Sequence, residues 1–222
     1  MIDCSKHIKM LIKIGATLLL TSCTSTFTLH IQSDVTAALS YDTTFGPAVM
    51  ETIQALTQHV SGQTNSPFDT AEFVEQCTAL GFRDVVVRTP TAARLVITAK
   101  STSADDIIHR SGMLQPAPRD SKTVLCTLSP ETLSQIYAAL PETARAYIDV
   151  FIAPVFTGDN MSHEEYLALV ASVYGQALAD EIAAAVVTLT LSAEGAHPAQ
   201  KITLPLTDIL LLQAPQTYTL RW

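Results

Sequence analysis

Glycine is sparse in this chain, with 8 in 222 residues, and the motifs that depend on it are missing. There is no glycine-rich dinucleotide turn and no phosphate loop. GxSxG, HExxH and paired CxxC motifs are missing as well. Positive charge is also scarce. Lys+Arg number 13 against 21 Asp+Glu, a formal net charge of −8, and no basic run interrupts that excess. An acid-rich chain repels phosphate, so nucleic acid is excluded as a partner. Charged residues make up 15% of the chain and hydrophobic residues 48%. That balance excludes disorder over most of the length and leaves enough apolar surface for one sizeable core. Multi-span membrane, collagen and coiled-coil readings fail on the same composition.

What is present begins at the N-terminus. Lys6, Lys9 and Lys13 form a basic head, and residues 14–20 (IGATLLL) form an apolar core. That core is shorter than the roughly 20 residues needed to span a bilayer. Leu20-Thr21-Ser22-Cys23 follows: an aliphatic residue, two small residues and a cysteine. The segment resembles the lipobox of bacterial lipoprotein precursors. The resemblance implies a signal peptide over 1–22, cleavage before Cys23 and a diacylglycerol on the Cys23 sulfur. Cleavage would remove three Lys and one Asp, taking the formal charge from −8 to −10. The lipid, and not protein charge, would then hold the protein at the membrane. Thr24 stands where enteric-type lipoproteins carry an Asp for inner-membrane retention. By that code the protein sits on the periplasmic side of the envelope, at the outer rather than the inner membrane. Thr24, Ser25 and Thr26 alone separate Cys23 from Phe27, a tether of about 10–15 Å. The first hairpin and its neighbouring loops are therefore expected to face the headgroups, with Arg110, Arg119 and Lys122 as the cations nearest them.

Residues 23–222 read as a single domain. Phe27, Leu29 and Ile31 alternate with polar residues, and Val35, Ala37, Leu39 and Tyr41 alternate again after a Ser33-Asp34 turn, which predicts an antiparallel hairpin with one buried face and His30 on the polar side. Val49, Ile53, Leu56 and Val60 have helical spacing after Gly46-Pro47. Asp69 and Glu72 form a capping box, with Phe68 and Phe73 as a hydrophobic staple, for a helix that stops at Gly81. Strands are expected over 84–88, 93–98 and 123–128, with a short helical turn over 104–109 and a polar loop over 110–122. Helices are expected over 129–140, 141–153 and 162–185, the last opened by a Ser162/Glu165 capping box, and 129–185 is a candidate helical subdomain. Strands containing Val187, Leu189 and Leu191, then Ile202, Leu204 and Leu206, come next. The chain closes on a Leu-rich turn and a strand with Tyr218, Leu220 and Trp222 on one face. Without regular βαβ alternation, this order predicts an α+β fold, a largely antiparallel sheet with helices on one face and a central helical segment. In layout it resembles spirochaete lipoproteins in which a hairpin follows the lipid cysteine and an aromatic strand closes the body. That resemblance carries no site residues.

Chemistry-bearing clusters are few. Asp105, Asp106 and His109 could share one helical face, and a capped, solvated turn explains them equally. His163, Glu164 and Glu165 occupy a first helical turn, where acids favour the helix dipole. Cys77 and Cys126 both fall on apolar faces, which fits either a disulfide or two buried thiols. The runs 148–156 and 204–212 are apolar enough for core or for a groove. No catalytic, cofactor-binding or metal-ligating residue is assigned, and Cys23 is the one modification site. The functional expectation is a lipid-anchored cell-envelope protein, not an enzyme and without a cofactor. Its role would be structural or partner-binding; the alternative is a carrier of a lipid or other apolar ligand.

Overall fold

A computed structural model describes residues 24–32, 36–61, 70–79, 81–101, 114–117, 120–139, 149, 151, 153–194 and 199–221. The fold is α+β. β1 (Thr24–Ile31) and β2 (Ala37–Thr44) form the expected hairpin, pairing from Thr24↔Thr44 to Ile31↔Ala37. Their period-2 alternation sends Leu29, Ile31, Ala37 and Tyr41 into the core and leaves Thr28 and His30 on the other face. β3 (Arg83–Thr91) and β4 (Arg94–Ser101) continue the sheet on one side, and β7 (Val186–Ala193) and β8 (Gln200–Pro205) on the other. The six-stranded order is β3-β4-β2-β1-β7-β8. All its pairings are antiparallel except β1 with β7, which run parallel from Thr24↔Val186 to Ile31↔Ala193. A separate three-stranded antiparallel sheet joins β5 (Leu114–Ala117), β6 (Asp120–Leu128) and β9 (Gln216–Arg221) in the order β5-β6-β9.

Helices cover the inner face of the larger sheet. α1 (Pro47–Ser61) contributes Val49, Met50 and Ile53, and α2 (Thr70–Ala79) contributes Cys77. These meet Leu95, Ile97, Val187 and Leu189 of the sheet in one continuous core. α3 (Pro130–Ala139) brings in Leu133, and the short α4 (Pro154–Thr157) brings in Val155. Tyr137 stacks on Phe156, ring centroids 4.7 Å apart. α5 (His163–Tyr174) and α6 (Gln176–Ala184) complete the layer, and α7 (Leu206–Leu210) follows β8.

Several expectations are corrected. The single helix over 162–185 is two, because Gly175 has φ +94° and ψ 159°, a region open in practice only to glycine. The loop over 110–122 contains β5 and the start of β6. Polar residues conceal strands there because β5 is a sheet edge, interrupted by a register shift at Pro116/Ala117. The Leu-rich turn after β8 is α7. The closing strand β9 pairs with β6 and not with the larger sheet. The turn over 104–109, Asp69, Phe68 and most of the helix over 141–153 lie outside the described residues.

One contact locks α1 onto α6. α1 has no acid in its own first turn, so its N-terminal N–H groups need an acceptor from elsewhere. Glu181 of α6 supplies it: Ala48 N–H donates to Oε1 at 2.8 Å and Val49 N–H to Oε2 at 3.0 Å. Losing such a cap costs about 1–2 kcal/mol. Glu181→Ala should lower stability by about that amount in urea unfolding, and Glu181→Gln, which keeps one acceptor oxygen, by less. An unchanged midpoint for the Ala variant would show that water replaces the carboxylate at no cost.

Candidate functional site

The only modification site expected from sequence, Cys23, lies outside the described residues, but the next residue is already structured. Thr24 opens β1, paired with Thr44 on one side and Val186 on the other. Thr24 to Thr26 are therefore strand and not tether. β1 is an interior strand, so residue 23 joins the body at one end of the larger sheet. Thr44, Arg94, Val186 and Pro205 share that end. Ile31 and Ala37 lie at the opposite end, about 25 Å away for eight residues of strand. Arg110 and Arg119 lie outside the described residues, as does the Lys122 side chain.

Just inside the anchor end, the inner face becomes polar. Ser25, Tyr41 and Thr43 are all fully buried. Ser25 and Thr43 are direct cross-strand partners, and the Ser25 hydroxyl lies 3.1 Å from both the Thr43 hydroxyl and the Tyr41 phenol. Buried hydroxyls persist only when bonded, and this cluster bonds its own members. The sequence reading stopped the buried face of β1 at Phe27. Ser25 shares the parity of Phe27, Leu29 and Ile31, and Thr43 that of Tyr41, which was the available signal.

The other sequence candidates among the described residues bond to neighbouring elements or pack in the core. Ser162 Oγ accepts from Glu165 N–H at 3.2 Å and Glu165 Oε2 accepts from Ser162 N–H at 2.8 Å, completing the expected capping box. Those Ser162 contacts hold the Glu165 carboxyl below its ordinary value. His163 Nε2 lies 2.8 Å from Asp208 Oδ1 and ties α5 to α7. His30 sits on the outer face with Nδ1 2.8 Å from the Ser192 hydroxyl. Phe151, Val155, Leu206, Ile209 and Leu210 from the two apolar runs are core. Tyr166 of α5 is fully buried and donates to the Phe151 carbonyl at 2.7 Å. Asp105, Asp106 and His109 lie outside the described residues. Among the described residues, no group of three or more His, Cys, Asp or Glu could hold a metal ion, and no helix is long and apolar enough to cross a membrane.

The outer face of the larger sheet is different in kind. Thr24, Thr26 and Thr28 of β1 lie beside Thr188 and Thr190 of β7, with Ser40 and Thr98 further across. Arg83, Arg88, Arg94, Lys100 and Lys201 lie on it as well, all exposed. Arg94 donates to Asp42 through Nε at 2.9 Å and Nη2 at 2.6 Å, which holds the Asp42 carboxyl below its usual range. Lys100 pairs with Asp84 at 3.1 Å. Asp84 has φ +52° at the bulge between Arg83 and Val86. Comparison with protein-family models, curated proteins and solved structures returned no match to this chain.

Cys77 and Cys126 are both buried and free. Burial pushes each thiol up to about 11, so at pH 8 only about one thiol in a thousand is thiolate, the reactive form. Both should resist maleimide in the native protein and label fully in denaturant. Rapid native labelling of either would show that its helix or strand opens readily.

Proposed function

We propose that this protein is a lipid-anchored component of a bacterial cell envelope, acting by contact with other envelope components and not by catalysis. The observation that carries this reading is Leu20-Thr21-Ser22-Cys23 behind a basic head and a short apolar core. The place where the fold begins supports it. A strand bonded on both edges begins at Thr24, one residue after the cysteine of that motif. The body is held on the periplasmic side, and Thr24 favours the outer membrane under the enteric-type sorting code.

With no linker between anchor and fold, the body works at the bilayer surface. A protein meant to reach distant partners would need a polar tether, and here Thr24 to Thr26 are in the sheet. Among the described residues, the polar side chains with defined partners serve as caps, cross-strand pairs or ties between elements.

Cys23→Ser should abolish incorporation of radiolabelled palmitate and move the protein from the membrane fraction to the soluble one, with the circular dichroism of the body unchanged. Undiminished labelling of the Ser variant would refute the anchor.

A further inference from the structure

Among the described residues, charge is segregated by layer. Every Lys or Arg whose side chain is described lies on the larger sheet: Arg83, Arg88, Arg94, Lys100 and Lys201. On that sheet the opposing acids are Asp42 and Asp84, each paired with a cation, and Glu194 stands at the turn after β7. The helical layer carries acids instead, among them Glu51, Glu75, Glu131, Glu164, Glu165 and Asp180. A chain with a formal charge of −8 thus presents one basic face.

That face is also rich in hydroxyls. It spans six strands, about 24 Å at about 4.8 Å per gap, and strands of about 25 Å. Its central rows are Thr24, Thr26, Thr28, Thr190 and Ser40 around the buried Thr188, with scattered aliphatic residues such as Val86 and Val96. Serine and threonine hydroxyls both donate and accept, which suits phosphodiester and ester oxygens.

We infer that the outer face of the six-stranded sheet is a docking surface for anionic lipid headgroups, on which the anchored body lies flat. The inference rests on the anchor reading above: a lipid attached one residue before Thr24 delivers an interior strand of this sheet to the bilayer and lets the body tip onto either layer. Charge then selects the layer. The cations of the sheet face then approach the headgroups ahead of the acids, where a Debye length of about 8 Å leaves their attraction only partly screened. The acidic layer is held away by the sheet and by helices about 10 Å across. Each Lys or Arg near an anionic surface is worth roughly fivefold in partitioning, so reversing Arg88 and Lys201, at opposite edges, removes most of the preference.

The test uses the full protein purified from the membrane fraction. It is reconstituted on vesicles of phosphatidylcholine alone or with about 30% phosphatidylglycerol, and maleimide labelling is timed at an introduced cysteine. Thr98→Cys reports the sheet face and Glu164→Cys the helical layer, against buried native thiols. Labelling of Thr98→Cys should slow at least tenfold on the anionic vesicles and recover in 0.5 M salt or when Arg88→Glu and Lys201→Glu are added. Glu164→Cys should label equally on both. Equal rates for Thr98→Cys on the two vesicles overturn the inference, as does protection of Glu164→Cys instead. Protection of Thr98→Cys in native envelopes but not on anionic vesicles also overturns it and assigns the face to a different envelope component. Intact mass of the same samples reads the diacylglycerol on Cys23, so failure of the anchor and failure of the lipid-facing sheet are told apart.

Discussion

The parallel pairing of β1 with β7 is the constraint on which the rest of this structure depends. It joins residues 24–31 to residues 186–193, so the intervening chain must leave the sheet and return to it from the same end. A parallel pair cannot be closed by a tight turn. The detour holds β2 to β6 and all the described helices but α7, and it ends in α6, which delivers the chain to Val186. With β2 bonded to its other edge, β1 has no free edge. The strand adjoining the proposed anchor is thus the most enclosed in the larger sheet, and any pull on residue 23 is resisted by two ladders of hydrogen bonds.

Polar groups inside this frame position elements. The Ser25–Tyr41–Thr43 cluster sits where apolar side chains would pack equally well. Its hydroxyls satisfy one another only in the observed register, since a one-residue slip would turn Ser25 to the outer face and Tyr41 away from it. Glu181 does the same between helices, fixing the N-terminus of α1 on α6. His163 with Asp208 fixes α5 to α7. The burial that raises Cys77, Cys126 and Tyr166 keeps all three neutral, as residues of the core.

The two layers meet the environment differently. Helices carry acids because acids are tolerated at helix starts and keep an exposed layer soluble. The open sheet face carries Thr, Ser, Arg and Lys. β-branched threonine suits a strand that is packed on one side and wet on the other. A single face combining threonine rows with the described cations follows from the strand order, since β3, β4 and β8 come from distant parts of the chain.

Local periodicity determined a good deal by itself. The alternation of Phe27, Leu29 and Ile31 with Thr28 and His30, and of Ala37, Leu39 and Tyr41 with Ala38 and Ser40, specified a hairpin and its buried face, because successive strand side chains must point to opposite sides. Ser162 and Glu165 specified a helix start within four residues, and the inward placement of Cys77 and Cys126 followed from their apolar neighbours. The lipobox resemblance is likewise a purely local pattern. Tertiary structure decided what depends on distant partners. Nothing near Thr24 says that it pairs with Val186, nothing near Glu181 says that it caps α1, and polar composition alone made β5 look like a loop. Gly175 breaks its helix through a backbone angle that helical spacing on either side conceals. Arg88 and Lys201, at opposite edges, come to lie on one face only once the sheet is assembled. Such pairings are set by the free energy of burying the whole core, a property of no single segment.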